Sequence, residues 1–115
     1  MEKSFVHDND SILWRFEEWF LNEGKLSLDP SGLYEIEHIY HPLDQHFYCL
    51  KIDFSGNNYI ARITLWEDKS AYLEAIDLVT EDNFINRNQS DLNENDLTNQ
   101  VLLFINELNN KSSDN

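Results

Sequence analysis

The sequence predicts a two-layer α+β domain: a four-stranded antiparallel meander with an N-terminal and a C-terminal helix packed on one face. Three observations lead there. Segments with apolar residues at helical spacing lie near both ends of the chain, at about residues 11–23 and 94–109. Between them, four stretches have the composition and patterning of strands, three of them alternating apolar and polar residues. The connections between these stretches are a few residues long, which suits hairpins and excludes parallel crossovers of a dozen residues or more. With both apolar stripes laid on the same side of the sheet, the order is αββββα.

Taken in order, residues 1–9 read as a lead-in, and Asp10 or Ser11 is placed to cap the first helix. Ile12, Leu13, Phe16, Trp19 and Phe20 recur on one helical face, while Arg15, Glu17, Glu18 and Asn22 make the other face polar. Gly24 stands where a helix-ending glycine belongs. Trp14 and Trp19 cannot both point straight into the core, because five positions rotate one well away from the other. Asp29-Pro30-Ser31-Gly32 is a turn. Leu33 to His41 follows as a strand with Tyr34, Ile36, His38 and Tyr40 on one side and Glu35, Glu37 and Ile39 on the other. After Pro42-Leu43-Asp44-Gln45, a second strand, His46 to Phe54, sets Tyr48, Leu50, Ile52 and Phe54 against Lys51 and Asp53. Ser55-Gly56-Asn57-Asn58 is a turn whose residues tolerate positive φ.

The third strand, Tyr59 to Trp66, is the most regular: Tyr59, Ala61, Ile63 and Leu65 share one face, and Ile60, Arg62, Thr64 and Trp66 the other. Glu67-Asp68-Lys69-Ser70 makes a four-residue hairpin loop into a fourth strand, about Ala71 to Val79, which is apolar on both faces. Thr80 to Asn93 is read as a polar loop over the sheet edge, anchored by Phe84 and Ile85. Asn93 then caps a final helix, with Glu94 and Asp96 at the positive end of its dipole. Leu97, Val101, Phe104, Ile105 and Leu108 form its buried stripe, and the last residues, from Asn109, are read as frayed.

A chain of 115 residues supports one core, so a single domain over 1–115 is expected, ordered from about 10 to 109. Its 22 acidic and 8 basic residues leave a formal charge of -14. Such a field repels nucleic acid and anionic lipid and favours a basic protein partner. A plain solubilising surface accounts for the same charge and stays open. Cys49 is the lone cysteine, so no disulfide can form within the chain. No signal-like segment or bilayer-length apolar run occurs, and a cytoplasmic protein is expected.

Chemistry is hard to find. His38 and His41 fall on opposite sides of one strand, and with His46 they make no metal-ligand pattern. Cys49 lies within a strand and reads as a packed thiol. There is no Gly-rich phosphate loop. Neither a catalytic residue nor a cofactor or metal is therefore assigned.

The acidic residues are unevenly placed. Nine lie between Glu67 and Asp96 against Lys69 and Arg87, a net -7 of the total -14. Within that flank Glu67, Asp68, Glu74, Asp77, Glu81 and Asp82, with Trp66 beside them, are the candidate partner-binding residues, since grouped charge steers a basic partner and Trp is an interface-prone side chain.

The run from Ala61 to Asp77, a strand ending Leu65-Trp66-Glu67, a turn and then Tyr72-Leu73-Glu74, followed by Phe84-Ile85-Asn86, resembles the TriTu-type immunity proteins of bacterial polymorphic toxin and contact-dependent growth inhibition systems. The resemblance is strongest over about residues 60–86. It implies a small cytoplasmic protein that binds a cognate toxin domain, often a nuclease with a basic cleft, as a monomer or in a 1:1 heterodimer. It implies no catalytic residues, because such a protein acts by occupancy. Two other classes stay open on the residues alone: an acidic secretion chaperone or adaptor, and a small ligand-binding or enzymatic domain.

Overall fold

The computed structural model describes residues 12–43 and 47–112. The expected lead-in, the cap at Asp10 or Ser11, His46 and the last three residues lie outside them. Helix α1 spans Ile12–Asn22 and is followed by a short 3-10 turn, Gly24–Ser27. Strands β1 (Leu33–Tyr40), β2 (Phe47–Ser55), β3 (Tyr59–Trp66), β4 (Ala71–Asp77) and β5 (Asn83–Gln89) follow, then helix α2 (Glu94–Ser112). The strands pair antiparallel in the order β1-β2-β3-β4-β5.

The α+β class and the meander stand as expected, but the sheet has five strands, not four. The segment read as a loop over the sheet edge is itself the edge strand β5. Its polar run, Asn86-Arg87-Asn88-Gln89, lacks the apolar alternation of a half-buried strand, and an edge position tolerates that composition. A bulge hides the rest of the signal. Ala75 pairs with Ile85 and Ile76 with Asn83, so Phe84 is an extra residue. The local kink lets the consecutive residues Phe84 and Ile85 both pack against the core.

The helix-covered face carries Leu50, Ile52 and Phe54 of β2, Tyr59, Ala61, Ile63 and Leu65 of β3, and Ala71, Leu73 and Ala75 of β4, all buried. From α1, Ile12, Leu13, Phe16 and Phe20 enter this layer, and from α2 Leu97, Val101, Phe104, Ile105 and Leu108. Phe54 joins the two helices: its ring lies 6.0 Å from Phe20 and 5.8 Å from Phe104, both edge-on. Trp14 and Trp19 are half-buried at the margin of the core.

Two glycines work by close approach, with no glycine at positive φ among the described residues. A Cβ on Gly24 would come within 2.8 Å of the Trp19 ring, and one on Gly56 within 2.4 Å of the Tyr59 ring. The positive φ expected in the Gly56 turn instead occurs at Lys69, Glu81 and Asp91.

Asn93 caps α2 as expected, its Oδ1 accepting from the Asp96 N–H at 2.8 Å. The helix continues past residue 109 to Ser112 because tertiary contacts hold its last turn. Asn109 Oδ1 accepts from the Asp29 N–H, and its Nδ2 donates to the Ser27 carbonyl. Asn58 Nδ2 donates to the Lys111 carbonyl, and Lys111 Nζ is paired with Asp77.

Candidate functional site

Because both helices pack on one side, the alternate residues of every strand form a second face that no element of the described chain covers. Register arranges them in cross-strand rows, since paired residues of an antiparallel sheet share a face. One row runs Glu35, Asp53, Arg62, Glu74 across β1 to β4. On one side of it lie Leu33, Ser55, Ile60 and Ile76. On the other lie Glu37, Lys51, Thr64 and Tyr72, then Ile39, Cys49 and Trp66. The twist of the sheet makes part of this face concave. The depression, about 820 Å³, is lined on this side chiefly by the first two rows.

Arg62 is its central cation. It donates from Nε to Asp53 Oδ1 at 2.5 Å and from Nη2 to Asp53 Oδ2 at 3.3 Å. The bonded Asp53 carboxylate, with Glu74 and Glu37 nearby, raises the guanidinium pKa further. Both side chains remain about 40% exposed, at 41% and 42%. An ion pair this wet contributes roughly 0.2–1 kcal/mol to stability, so it orients the two groups more than it holds the fold. Further along, Tyr72 donates its hydroxyl to Asn86 Oδ1 at 2.9 Å. Cys49 is buried beside Trp66 in the cross-strand pair, and burial pushes its thiol pKa up. A thiol so placed is a packing group.

The seven residues picked from the acidic flank separate into four places. Trp66, half-buried, and Glu74 share the uncovered face. Glu67 and Asp68 are exposed in the β3–β4 turn, where Asp68 Oδ1 accepts from the Ser70 hydroxyl and N–H. Those bonds, the hydroxyl first, lower the Asp68 pKa. Glu81 and Asp82 are exposed in the β4–β5 turn at the far end of β4. Seven strand residues put the two turns about 20 Å apart, so the flank is not one continuous patch.

Asp77 faces the helices and is 6% exposed. It is paired with Lys111, and its Oδ1 accepts from the Val79 and Thr80 N–H groups at 2.7 and 3.1 Å. These contacts, Lys111 first, lower its pKa. Its place is in the fold rather than on the surface.

Glu35, Asp53, Arg62 and Ile60 were not singled out from the sequence. Alternation put each on the polar side of its strand, but only register brings them into adjacent rows. Elsewhere His38 Nε2 lies 2.8 Å from Glu17 Oε1, with its ring 5.5 Å from Trp14. Among the described residues, no group of three or more His, Cys, Asp or Glu is arranged to hold a metal ion. No helix of the described chain is long and apolar enough to cross a membrane.

An uncovered, concave, partly apolar sheet face on an acidic chain has the shape and chemistry of a surface that can receive a partner. The family model described as Immunity protein TriTu matches residues 15–107. The chain belongs to the TriTu immunity protein family. The match runs from near the start of α1 to near the end of α2 and includes the entire sheet, so the family relationship covers both layers of the fold. No curated protein matches the chain.

Proposed function

We propose that this chain is the immunity partner of a bacterial toxin domain, which it neutralises by stoichiometric binding in the cytoplasm of the producing cell. Membership of the TriTu immunity family over residues 15–107 is the observation that carries this reading. The toxin has a basic surface, of the kind found on nucleases, for a chain with a net charge of -14 attracts basic proteins and repels nucleic acid and anionic membranes. The whole chain acts as one domain, a monomer that enters a 1:1 heterodimer, and inhibits by occupying the toxin rather than by chemistry. Trp66, Glu67, Asp68, Glu74, Glu81 and Asp82 supply contacts or steering charge. Asp77 contributes by holding the scaffold.

The test is co-expression. A toxin-encoding reading frame is expected immediately upstream of this gene, and its C-terminal domain should arrest growth when expressed alone. Expression of this chain alongside it should restore growth, and the purified pair should elute as a 1:1 complex. Continued arrest with the chain present at equal or greater abundance rejects the proposal.

A further inference from the structure

The uncovered sheet face has a specific chemical layout. Leu33, Ile60 and Ile76 of β1, β3 and β4 form a mostly apolar row, with Ser55 of β2 between the first two, and Leu33 and Ile60 are 67% and 47% exposed. Directly beside it runs the row Glu35, Asp53, Arg62, Glu74, three carboxylates and one cation. Asp53 engages the cation through both oxygens. The side-chain carboxylates of Glu35 and Glu74, one on each side of that pair, make no hydrogen bond among the described residues. Strand spacing puts them about 14 Å apart.

We propose that this face is where the toxin docks, through a segment that presents lysine or arginine side chains beside an aliphatic one. The inference rests on the immunity reading and adds to it the surface and the chemistry of the partner's contact. The aliphatic side chain lies against Ile60 and Ile76, removing their exposed apolar area from water. The basic groups reach Glu35 and Glu74, whose carboxylates have acceptor capacity to spare. Arg62, already held by Asp53, keeps the centre of the row from being uniformly negative and rejects a cation placed there, which fixes register as well as affinity.

Charge also selects against other occupants. A second copy of this chain would bring two faces with the same carboxylate excess together, each on a molecule of charge -14. Another exposed apolar pair, Leu102 and Leu103 on α2, lies beside uncharged Asn99, Gln100 and Asn106, and the Glu107 carboxylate one turn from Leu103 is already held by Arg87 through both oxygens. The charged group nearest this pair is thus spent on Arg87 rather than open to a basic partner.

The experiment uses the full chain and the toxin domain encoded immediately upstream, with binding measured by calorimetry at two salt concentrations. The double variant Glu35→Lys/Glu74→Lys and the single variant Ile60→Asn should each weaken binding by about tenfold or more. The double variant should also flatten the salt dependence. The controls Leu103→Asp and Glu18→Lys/Glu23→Lys, the latter at exposed positions on the helix side of the molecule, should stay within about threefold of wild type. Both charge variants lie at exposed or half-exposed positions, and circular dichroism melts identify any that fail to fold. Open-face variants that fold and bind like wild type overturn the docking surface while leaving the immunity function standing. If the wild-type chain does not bind that toxin domain, both readings fall.

Discussion

Asp77, the last residue of β4, is paired with Lys111 in the final turn of α2, so the end of the sheet's fourth strand is tied to the end of the chain's last helix. The same carboxylate caps the following turn through the Val79 and Thr80 N–H groups. A residue that sequence position alone groups with surface acids is thereby made a structural one.

That relationship predicts a pH signature. The folded-state pKa of Asp77 is lowered, Lys111 being the main cause. Its stabilisation is therefore complete above the unfolded carboxylate value near pH 4 and fades as pH falls through the lower folded value. Asp77→Asn should lower Tm at pH 7 and lose less stability than wild type between about pH 4 and pH 2. Parallel Tm–pH curves for the two proteins would show that the pair does not matter.

The core prediction concerns the ring that meets Phe54. Phe104 is fully buried and lies 5.8 Å from Phe54. Phe104→Ala should cost about 3–5 kcal/mol in urea unfolding, from lost transfer energy and the cavity left behind. A loss below about 1 kcal/mol would mean that α2 can settle into the space.

Gly56 should resist the smallest possible change. The added methyl of Gly56→Ala would sit 2.4 Å from the ring of Tyr59, which is itself 1% exposed and has nowhere to move. A destabilisation of about 1–3 kcal/mol is expected, although the φ angle there suits alanine. An unchanged midpoint of denaturation contradicts the close contact.

Trp66 tests the division between fold and binding. It lies on the uncovered face, away from the residues that pack the core. Trp66→Ala should leave Tm within a few degrees of wild type and weaken toxin binding by about 30-fold, the scale of an aromatic hot spot. If the variant unfolds instead, its role is to cover Cys49.

The acidic turns should behave as two separate patches. They lie about 20 Å apart along β4, beyond the screening length of about 8–10 Å at physiological salt. Reversing Glu67 and Asp68 in one variant, and Glu81 and Asp82 in another, should slow stopped-flow association to different extents, most visibly at low salt. Equal slowing by both would point to whole-molecule steering, and no slowing by either would remove the acidic turns from the encounter.

Much of the fold was legible because it depends on local periodicity. The helical spacing of Ile12 to Phe20 and of Leu97 to Leu108, the alternation in β1 to β3 and the Asn93 cap are each set by neighbours in the chain. Short connections made the sheet antiparallel. The strand β5 was missed because its polar residues are acceptable at an edge and because the bulge at Phe84 breaks its alternation. From sequence the last turn of α2 reads as frayed because nothing local holds it, whereas Asp29, Ser27, Asn58 and Asp77 do so from afar.

By itself the sequence determined the two-layer class, the acidic field and the central hairpin of β3 and β4 with its family resemblance, since charge and periodicity are read along the chain. Tertiary structure alone decided which acids act together. Strand register put Glu35, Asp53, Arg62 and Glu74 in one row from four different strands, and it turned Asp77 inward from the same acidic span as Glu74. Side-chain facing repeats every two residues, but the pairing of one strand with the next is a long-range choice, made where both helices bury their apolar stripes on the same side of the sheet.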